Sequence, residues 1–318
     1  MQTILGSGGI IATELAKALV AYTSDIRLVS RNPEKVNTTD QLLAADLMDE
    51  KAINLAVKGS TIVYVTIGFP YDTKTWQETW PTFIANVVVA CKKHKAKLVF
   101  FDNIYMYDED YLDGMTEETR ENPSSKKGKV RMQVVDMIWR EIRSGSLSGL
   151  IARCADYYGP GIKRNGILRE MVFDKLANGK KANWLMSDKY KHSFTYTPDA
   201  GKAVALLGNT EDAYDKVWHL PTAPNPFTGK EWIENIVKAL GVKLRYQVVS
   251  KFMIHIIGWF VLVVKEVVEM AYQYDRDYVF DSSKFENRFD FVPTPYLAGI
   301  KDIIDKDYAS KQTVSDAS

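Results

Sequence analysis

The chain has 318 residues, which at roughly 150 residues per domain predicts about two domains. Its 41 lysines and arginines nearly balance 40 aspartates and glutamates, and the net charge of +1 argues against nucleic acid or an anionic membrane as the main partner. Hydrophobic residues make up 46% and charged residues 25%, which excludes an intrinsically disordered or fibrous chain.

The first half of the chain alternates strand-like and helical segments. Apolar strands are predicted at residues 3–5, 26–30, 42–45, 61–66, 97–101 and 149–154, and helices at 10–22, 49–57, 76–94 and 126–143. Helices of this length between strands act as crossover connections, so the strands form a parallel sheet. Nearly all strand residues are apolar, as in a sheet covered on both faces. The predicted fold class is therefore α/β, with a Rossmann-type doubly wound parallel sheet.

The second half of the chain is less regular. After residues 159–161, glycine, proline and aromatic residues become frequent, and polar loops separate isolated elements. Helices are predicted at residues 198–207 and 228–240, and strands at 217–220 and 244–249. We predict a sheet domain over residues 1–160, to which 195–220 return, and a smaller, less regular C-terminal domain over 161–194 and 221–318.

The sequence contains no recognisable signal peptide, membrane span or metal-binding motif, and these features bear on where the protein works. No signal peptide is expected, because a strand-like run begins almost at Met1. The longest apolar run, residues 252–264, is shorter than the ~20 residues of a membrane span. Residues 252–274 are instead expected to close over a substrate or to pack against a second copy in a homodimer. Two cysteines and four histidines without paired spacing predict no metal site. Because neither a signal peptide nor a membrane span is expected and cysteines are few, we expect a cytoplasmic protein without a membrane partner.

A glycine-rich loop follows the first strand and opens the first helix, in the sequence LGSGGIIATEL. Its small residues are Gly6, Gly9 and Ala12, spaced by three, and the helix begins with Ile10 and Ile11. The first glycine permits a sharp turn, the second allows the backbone to approach a diphosphate, and the alanine lets the helix pack near the strand. The unpaired N–H groups of the helix N-terminus then face the phosphates. This loop predicts dinucleotide binding by the sheet domain, and the C-terminal domain is expected to bind the substrate.

The end of the second strand carries information about the cofactor. An NAD site usually has an acidic residue here, which accepts hydrogen bonds from the ribose hydroxyls. This chain instead has Ser30 and Arg31, a hydroxyl and a guanidinium that suit a 2′-phosphate. We therefore predict NADP as the cofactor, with NAD as the less favoured alternative.

With these motifs in place, the chain resembles the extended branch of the short-chain dehydrogenase/reductase superfamily, the NAD-dependent epimerase/dehydratase family. Asp46 and Leu47 are similar to the family's adenine-contacting aspartate and its neighbour, and Gly68 to the small residue that passes under the cofactor. Residues 153–161 resemble the segment beside the nicotinamide, which implies a cofactor contact for Tyr158. The resemblance covers nearly the whole chain.

The catalytic pattern of that family is altered in this chain. The superfamily uses a serine, and a tyrosine four residues before a lysine. Aligning Tyr107 with the tyrosine that ends the fifth-strand segment puts Asn103 at the serine position. Asparagine still donates a hydrogen bond to a carbonyl oxygen, so this change alone is compatible with catalysis.

The tyrosine–lysine pair is more strongly altered, because residues 122–131 contain no tyrosine. Taking Lys129 as the family's lysine puts Ser125 at the tyrosine position, whereas taking Lys126 puts Asn122 there. Lys129 fits better, and the resemblance implies that it holds the nicotinamide ribose. A serine hydroxyl is too weakly acidic to replace a phenol as the acid/base group.

Another side chain must then move the proton if the site turns over. Tyr105 and Tyr107 are the preferred candidates, and Asp102 and Tyr158 are the others near strand ends. The sequence thus predicts an NADP-binding oxidoreductase or epimerase for a small hydroxyl- or carbonyl-bearing, sugar-like substrate. The missing tyrosine favours an alternative, a non-catalytic NADP-binding redox sensor that resembles NmrA-like proteins. A structural subunit with a vestigial cleft is a third, weaker alternative.

Overall fold

The computed structural model describes residues 1–163, 166–253, 266 and 268–309. The prediction of a covering or dimer-forming segment at residues 252–274 therefore lies largely outside the described residues. Within the described part of the chain, no helix has the length and apolar character that crossing a membrane requires.

The described chain contains the following strands and helices. The strands are β1 Gln2–Leu5, β2 Ile26–Ser30, β3 Gln41–Ala44, β4 Ile62–Val65, β5 Lys97–Asp102, β6 Asp113–Met115, β7 Gly149–Arg153, β8 Asp156–Tyr158, β9 Ala182–Leu185, β10 Phe194–Tyr196, β11 Val217–His219, β12 Tyr246–Val249 and β13 Val279–Phe280. The helices are α1 Ile10–Leu19, α2 Glu50–Val57, α3 Thr73–His94, α4 Lys126–Arg143, α5 Asp174–Ala177, α6 Thr197–Gly208, α7 Gly229–Leu240, α8 Ser283–Phe289 and α9 Tyr296–Asp307.

Seven strands form one parallel sheet in the order β11-β7-β5-β4-β1-β2-β3. The strand order reverses at β1, which pairs with β2 on one side and with β4 on the other, both in parallel. Residues of the central strands β1, β4 and β7 are almost completely buried, as the apolar composition requires. The predicted Rossmann-type doubly wound sheet is confirmed.

Local signals explain where the predicted helices begin and end. Helix α4 has the predicted bounds. Helix α3 begins earlier than predicted, because the carboxylate of Asp72 caps it by accepting a hydrogen bond from the backbone N–H of Thr75 at 2.7 Å. Helix α7 begins with the capping box of Thr228 and Glu231, in which each side chain bonds the backbone N–H of the other residue.

The chain packs into two units. The first contains Met1–Tyr107, Glu121–Cys154 and Pro198–Leu220, and therefore the whole seven-stranded sheet. The second contains Asp108–Arg120, Ala155–Thr197 and Pro221–Ser318. Residues 155–160 and 195–197 were grouped with the sheet by sequence, but they belong to the second unit because β8 pairs with β10 there. The binding functions predicted for the two parts of the chain stay predictions.

The second unit has a core rich in aromatic side chains. The unit also contains three short pairs of strands, β8 with β10, β9 with β12 and β6 with β13. Trp232 of α7 is fully buried and packs edge-on against Phe194 and Tyr158. Strands of two to four residues have too little periodicity to be recognised, and therefore most of this unit was read only as irregular.

Candidate active site

The predicted site residues of the first unit follow the carboxyl ends of neighbouring parallel strands. Gly6 follows β1, Arg31 follows β2, Gly68 comes shortly after β4, and Asn103 follows β5. In an open parallel sheet, ligands bind at this edge, where the strand order reverses. The reversal at β1 therefore puts the glycine loop at the expected binding point.

The backbone of the glycine loop has the shape that the sequence predicted. Gly6 has φ +97°, and a Cβ added to it would lie 2.4 Å from the Cα of Ile67. Only glycine fits this position, since the loop presses against the segment after β4. Gly9 differs, because a Cβ there would meet no atom within 4 Å. The space in front of Gly9 is open.

The open space lies at the start of helix α1. Gly9 is the N-cap residue and provides no side-chain cap, so the first N–H groups, including those of Ile10 and Ile11, are not capped by a side chain. Beside them, the hydroxyl of Ser7 is buried without a hydrogen-bond partner among the described residues. We call the open space bordered by Gly6, Gly9 and the start of α1 the cradle. These N–H and hydroxyl donors and the cradle fit a diphosphate. Ala12 is buried against the sheet, as its small size predicted.

The residues predicted to hold the adenosine part follow two paired strands. Ser30 ends β2 and is half-buried, and Arg31 is exposed directly after it. Asp46 follows β3, which pairs with β2, and its carboxylate accepts a hydrogen bond from the backbone N–H of Met48 at 3.0 Å. Leu47 is buried. Gly68 is exposed, one residue after the Ile67 that contacts the glycine loop.

The loop after β5 carries the predicted catalytic residues Asn103 and Tyr105, which are both half-buried. The Oδ1 atom of Asn103 accepts a hydrogen bond from the backbone N–H of Tyr105 at 3.1 Å. Helix α4 begins against this loop, since a Cβ on Gly128 would lie 2.2 Å from the carbonyl oxygen of Tyr105. The glycine lets the first turn of α4 approach Tyr105 closely.

The lysines of α4 differ in burial. Lys129, the predicted ribose-binding lysine, is exposed, and so is the alternative Lys126. Lys127 is fully buried, and its Nζ donates a hydrogen bond to the Oγ1 of Thr73 at 3.0 Å. Ser125, the residue at the tyrosine position, caps the helix by accepting from the N–H of Gly128 at 3.0 Å. The role of Lys129 stays a prediction, and Lys127 is the lysine whose side chain points inward.

Sequence reasoning missed Lys127 although a signal was present. The buried apolar residues of α4 include Val130, Val134 and Ile138, which define the inner face of the helix. Lys127 precedes them at helical spacing, and Arg131 lies four residues after it on the same face. Following this periodicity back to the start of the helix identifies Lys127 as an inward-facing residue. Comparison with the family's motif alone had favoured Lys129.

Aromatic side chains surround Lys127 and Tyr105. The Nζ of Lys127 lies 4.6 Å from the ring centroid of Tyr71. The hydroxyl groups of Tyr71 and Tyr105 are 3.4 Å apart. The ring of Trp76 stacks on that of Tyr105, with centroids 6.2 Å apart, and meets Tyr71 edge-on at 5.7 Å. Trp76 and Trp80 are both buried.

Tyr107 lies in a different environment from Tyr105. Its side chain is 1% exposed, and its hydroxyl is 2.7 Å from the Nε2 of His219. The guanidinium of Arg153 lies 4.9 Å from the centroid of its ring. This burial weighs against a direct contact between Tyr107 and a substrate, so Tyr105 is the stronger acid/base candidate.

A buried ion-pair network joins the ends of β5 and β7 to α4. Asp102 accepts a hydrogen bond from the Nε of Arg131 at 2.8 Å and pairs with the Nε of Arg153 at 3.5 Å. Glu121 pairs with the Nη2 of Arg153 at 2.5 Å. Burial lowers the pKa of Arg153, but the nearby Tyr107, Asp102 and Glu121 outweigh it, so the pKa is raised overall. Asp102, proposed by sequence as an acid/base candidate, is engaged in these pairs.

Tyr158, predicted to contact the cofactor, lies in the core of the second unit. Its side chain is 2% exposed and packs against Tyr196, Trp232 and Tyr296. A Cβ on Gly299 would lie 2.4 Å from its hydroxyl oxygen. The cofactor contact of Tyr158 stays a prediction. Among the described residues, no group of three histidine, cysteine or acidic side chains is arranged to hold a metal ion.

The fold and the edge of the sheet define a class of protein. A parallel sheet whose order reverses beside an uncapped, glycine-rich helix N-terminus is the architecture of Rossmann-type dinucleotide-binding proteins. The family model of the NAD dependent epimerase/dehydratase family matches residues 3–219, and the chain belongs to this family. No curated protein matches the sequence significantly.

Solved structures have the same fold at low sequence identity. The UDP-glucose 4-epimerase of Thermus thermophilus, in complex with NAD, has a TM-score of 0.77 at 15% identity and covers 96% of this chain and 98% of its own. The UDP-glucose 4-epimerase of Thermotoga maritima, with UDP-glucose, has a TM-score of 0.78 at 15% identity, with 98% and 99% covered. The dTDP-glucose 4,6-dehydratase of Streptomyces venezuelae, with NAD bound, has a TM-score of 0.77 at 14% identity, with 99% and 98% covered. At these identities the likeness establishes the extended short-chain dehydrogenase/reductase fold.

Proposed function

We propose that this chain binds NADP and acts as an oxidoreductase or epimerase on a small, sugar-like substrate that carries a hydroxyl or carbonyl group. The observation that carries the proposal is the cradle of Gly6, Gly9 and the uncapped start of α1. Membership of the epimerase/dehydratase family supports redox chemistry with a nicotinamide. The similar structures are named as acting on UDP-glucose and dTDP-glucose, which supports a sugar-like substrate.

The preference for NADP rests on the residues after β2. Arg31 is exposed beside Ser30, and the nearest acidic residue after the neighbouring strand β3 is Asp46. A guanidinium binds a 2′-phosphate through two parallel charge-assisted hydrogen bonds, whereas a ribose hydroxyl gains little from it. Two of the similar structures contain NAD, so the preference for NADP depends on these side chains of this chain.

The residues after β5 provide the substrate-facing groups. A bound nicotinamide supplies the acceptor or donor of a hydride. The backbone N–H of Tyr105 engages the Oδ1 of Asn103, which leaves the amide NH₂ of Asn103 to donate to a substrate oxygen. Tyr105 is half-buried in the same loop, so its hydroxyl can exchange a proton with that oxygen.

Nucleotide titration tests the cofactor proposal. Protein fluorescence is expected to be quenched by NADPH at lower concentrations than by NADH. Arg31→Ala is expected to weaken NADPH binding about tenfold, equivalent to ~1.4 kcal/mol, and to leave NADH binding nearly unchanged. Lys58→Ala removes an exposed cation just before β4 and is the matched control. Equal affinity for both nucleotides would overturn the NADP preference, and no binding of either would overturn the proposal.

A redox sensor is the second candidate function, because α4 begins without a tyrosine. A dehydrogenase screen over alcohols, sugars and nucleotide sugars separates the two functions. Turnover with any of them supports the enzyme. Nucleotide binding without turnover, together with a protein captured in the presence of only one redox form of NADP, supports the sensor.

Two wider predictions belong to the same proposal. We expect the protein to work in the cytoplasm, and we expect residues 252–274 to take part in a homodimer. Light scattering after gel filtration tests the second expectation, because a monomer mass of 36.1 kDa at micromolar concentration would contradict it.

A further inference from the structure

We propose that Tyr71 and Lys127 complete the acid/base machinery of this site, with Tyr105 as the proton carrier, Tyr71 as its hydrogen-bond donor and Lys127 as the supporting cation. The inference rests on the proposed function and deepens it. The family obtains its phenol and its cation from one helix. In this chain, the cation comes from α4 and the phenols come from the loops after β4 and β5.

The geometry of the two phenols supports these roles. The hydroxyl of Tyr71 donates toward the hydroxyl oxygen of Tyr105 across 3.4 Å. Trp76 contacts both rings, stacking on Tyr105 and meeting Tyr71 edge-on, which fixes their mutual orientation. A hydrogen bond donated to a phenolate stabilises it, so Tyr71 favours the ionised form of Tyr105.

The buried ammonium of Lys127 favours ionisation of the phenols near it. Lys127 is fully buried, and its Nζ lies 4.6 Å from the ring centroid of Tyr71 and 3.0 Å from the Oγ1 of Thr73. A buried cation is costly unless groups around it compensate its charge. A phenolate that forms beside it gains Coulomb energy, which water screens only in part because the ammonium is buried and the two phenols are half-buried. Lys127 therefore lowers the free energy of ionising the neighbouring phenols.

Other charged and titratable groups around Lys127 are consistent with this role. Asp72, next to Tyr71, has its pKa lowered by hydrogen bonds from Thr75 and, more weakly, by the charge of Lys127. Its carboxylate is engaged as the N-cap of α3. Arg131 lies one turn along α4 and is paired with Asp102. The ring of Tyr71 faces the ammonium of Lys127, and the hydroxyl of Tyr71 in turn reaches that of Tyr105.

Helix α4 packs closely against the loop that carries Tyr105. A Cβ on Gly128 would lie 2.2 Å from the carbonyl oxygen of Tyr105, so only glycine allows this approach. The preceding residue is Lys127, whose side chain consequently begins beside the loop. Lys127 and Arg131 have the four-residue spacing of the family's tyrosine and lysine, and both are buried on the inner face.

Tyr105 would accept one proton for each substrate alcohol that is oxidised. When a substrate alcohol is oxidised, its C–H bond breaks and the electron pair leaves as hydride to the nicotinamide of NADP. Its O–H bond breaks at the same time, the carbonyl forms, and the Tyr105 phenolate takes the proton. Carbonyl reduction is the reverse, with Tyr105 giving up its proton. Asn103 holds the oxygen in both directions.

Ultraviolet titration of the phenols tests the inference without cofactor or substrate. We expect the wild-type protein to form one more phenolate below about pH 9 than Tyr105→Phe, since an unperturbed tyrosine ionises near pH 10. Lys127→Met is expected to move that ionisation up by at least about one pH unit, and Tyr71→Phe to move it up by less. Lys129→Met, which changes an exposed lysine two residues away, is the control and should leave the curve unchanged.

The outcomes separate the two proposals. If Tyr105→Phe removes no phenolate below about pH 9, the inference is wrong, whatever the nucleotide titration shows. The inference is also wrong if Lys127→Met and Tyr71→Phe both have native circular dichroism and neither changes the pH at which Tyr105 ionises. If Lys127→Met fails to fold, the titrations of Tyr71→Phe and Tyr105→Phe still test whether Tyr105 ionises early and whether Tyr71 assists it. An absence of nucleotide binding contradicts the proposed function and leaves the titration readable.

A substrate found in the screen allows a second readout. The acidic limb of the kcat/KM profile for alcohol oxidation should shift to higher pH in Lys127→Met, because the phenolate forms less readily. Lys93→Met, which removes an exposed lysine of α3, is the control and should keep the wild-type profile. An unshifted profile in Lys127→Met would overturn the role of the lysine.

Discussion

Two glycines of the phosphate loop have different physical roles. Gly6 has no room for a Cβ, since Ile67 lies against it, and its φ of +97° is unfavourable for other residues. Gly9 has room and an ordinary φ of −81°, and it faces the open cradle. The sequence predicted a sharp turn at the first glycine and close approach to a diphosphate at the second. The structure adds that Gly6 is fixed by packing against Ile67, whereas Gly9 borders open space.

This difference gives a prediction for two variants. Gly6→Ala is expected to lower the free energy of unfolding by at least about 2 kcal/mol, because it combines a clash with a strained backbone. Gly9→Ala is expected to change it by less than about 1 kcal/mol. Its added methyl group should nevertheless weaken NADPH binding by more than tenfold, because it occupies the cradle. Urea unfolding and fluorescence titration measure both effects. Unchanged NADPH binding by Gly9→Ala would contradict this account of the loop.

Asp102 shows why a residue type alone did not reveal its role. The sequence offered it as an acid/base candidate near a strand end. In the structure it is 1% exposed and pairs with two arginines, Arg131 and Arg153. Because Arg131 lies on α4 and Arg153 ends β7, the carboxylate of Asp102 links β5 to both elements.

Neutralising Asp102 tests this linking role. Asp102→Asn is expected to destabilise the protein by about 3–5 kcal/mol, because it leaves two buried cations with less compensation. Glu211→Gln is the control, since Glu211 pairs with Lys97 at the surface, where such a pair contributes about 1 kcal/mol or less. Chemical unfolding of both variants measures the difference. Equal, small effects would show that the buried network contributes little.

At the scale of elements, the sequence predicted the first unit well. The periodic helix α4 and the apolar strands β1, β2, β4, β5 and β7 were found within two residues of their observed ends. Their signals are local, because apolar spacing and capping residues lie within a few positions of each element. Of the short strands of the second unit, β12 was predicted within two residues of its ends, whereas β6, β8, β9, β10 and β13 were missed. Strands of this length, such as β8 and β10, are defined by their partners.

Helix α7 allows a test of a local signal. Thr228→Ala removes the side-chain acceptor of the capping box and is expected to cost about 1 kcal/mol. Hydrogen bonds from the backbone and side chain of Thr228 lower the pKa of Glu231, so the part of this stabilisation that needs the charged carboxylate is present at neutral pH and is lost as the pH falls through that lowered pKa. The exposed Thr38→Ala is the control. Unfolding at neutral and acidic pH should show a smaller difference between Thr228→Ala and wild type in acid.

At the scale of the whole molecule, ligand binding and stability are linked. A nucleotide that binds only the folded protein raises its stability by ~2.7 kcal/mol at a hundredfold excess over Kd. We expect NADPH to raise Tm more than NADH at equal concentration, and Gly9→Ala to lose most of this shift. Scanning fluorimetry measures it. Equal shifts with both nucleotides would contradict the cofactor preference drawn from Arg31.

The amino-acid sequence by itself determined the fold class, the glycine loop and the family of this protein. These features depend on residue type and spacing over short distances, which are written directly in the chain. The tertiary structure decided which lysine of α4 is buried, which tyrosine is accessible and where the phenols lie relative to the cation. Lys127, Tyr71 and Tyr105 come from three separate segments, and no spacing along the chain records that they meet. Burial and through-space distance govern the chemistry of such a site, and both exist only once the chain has folded.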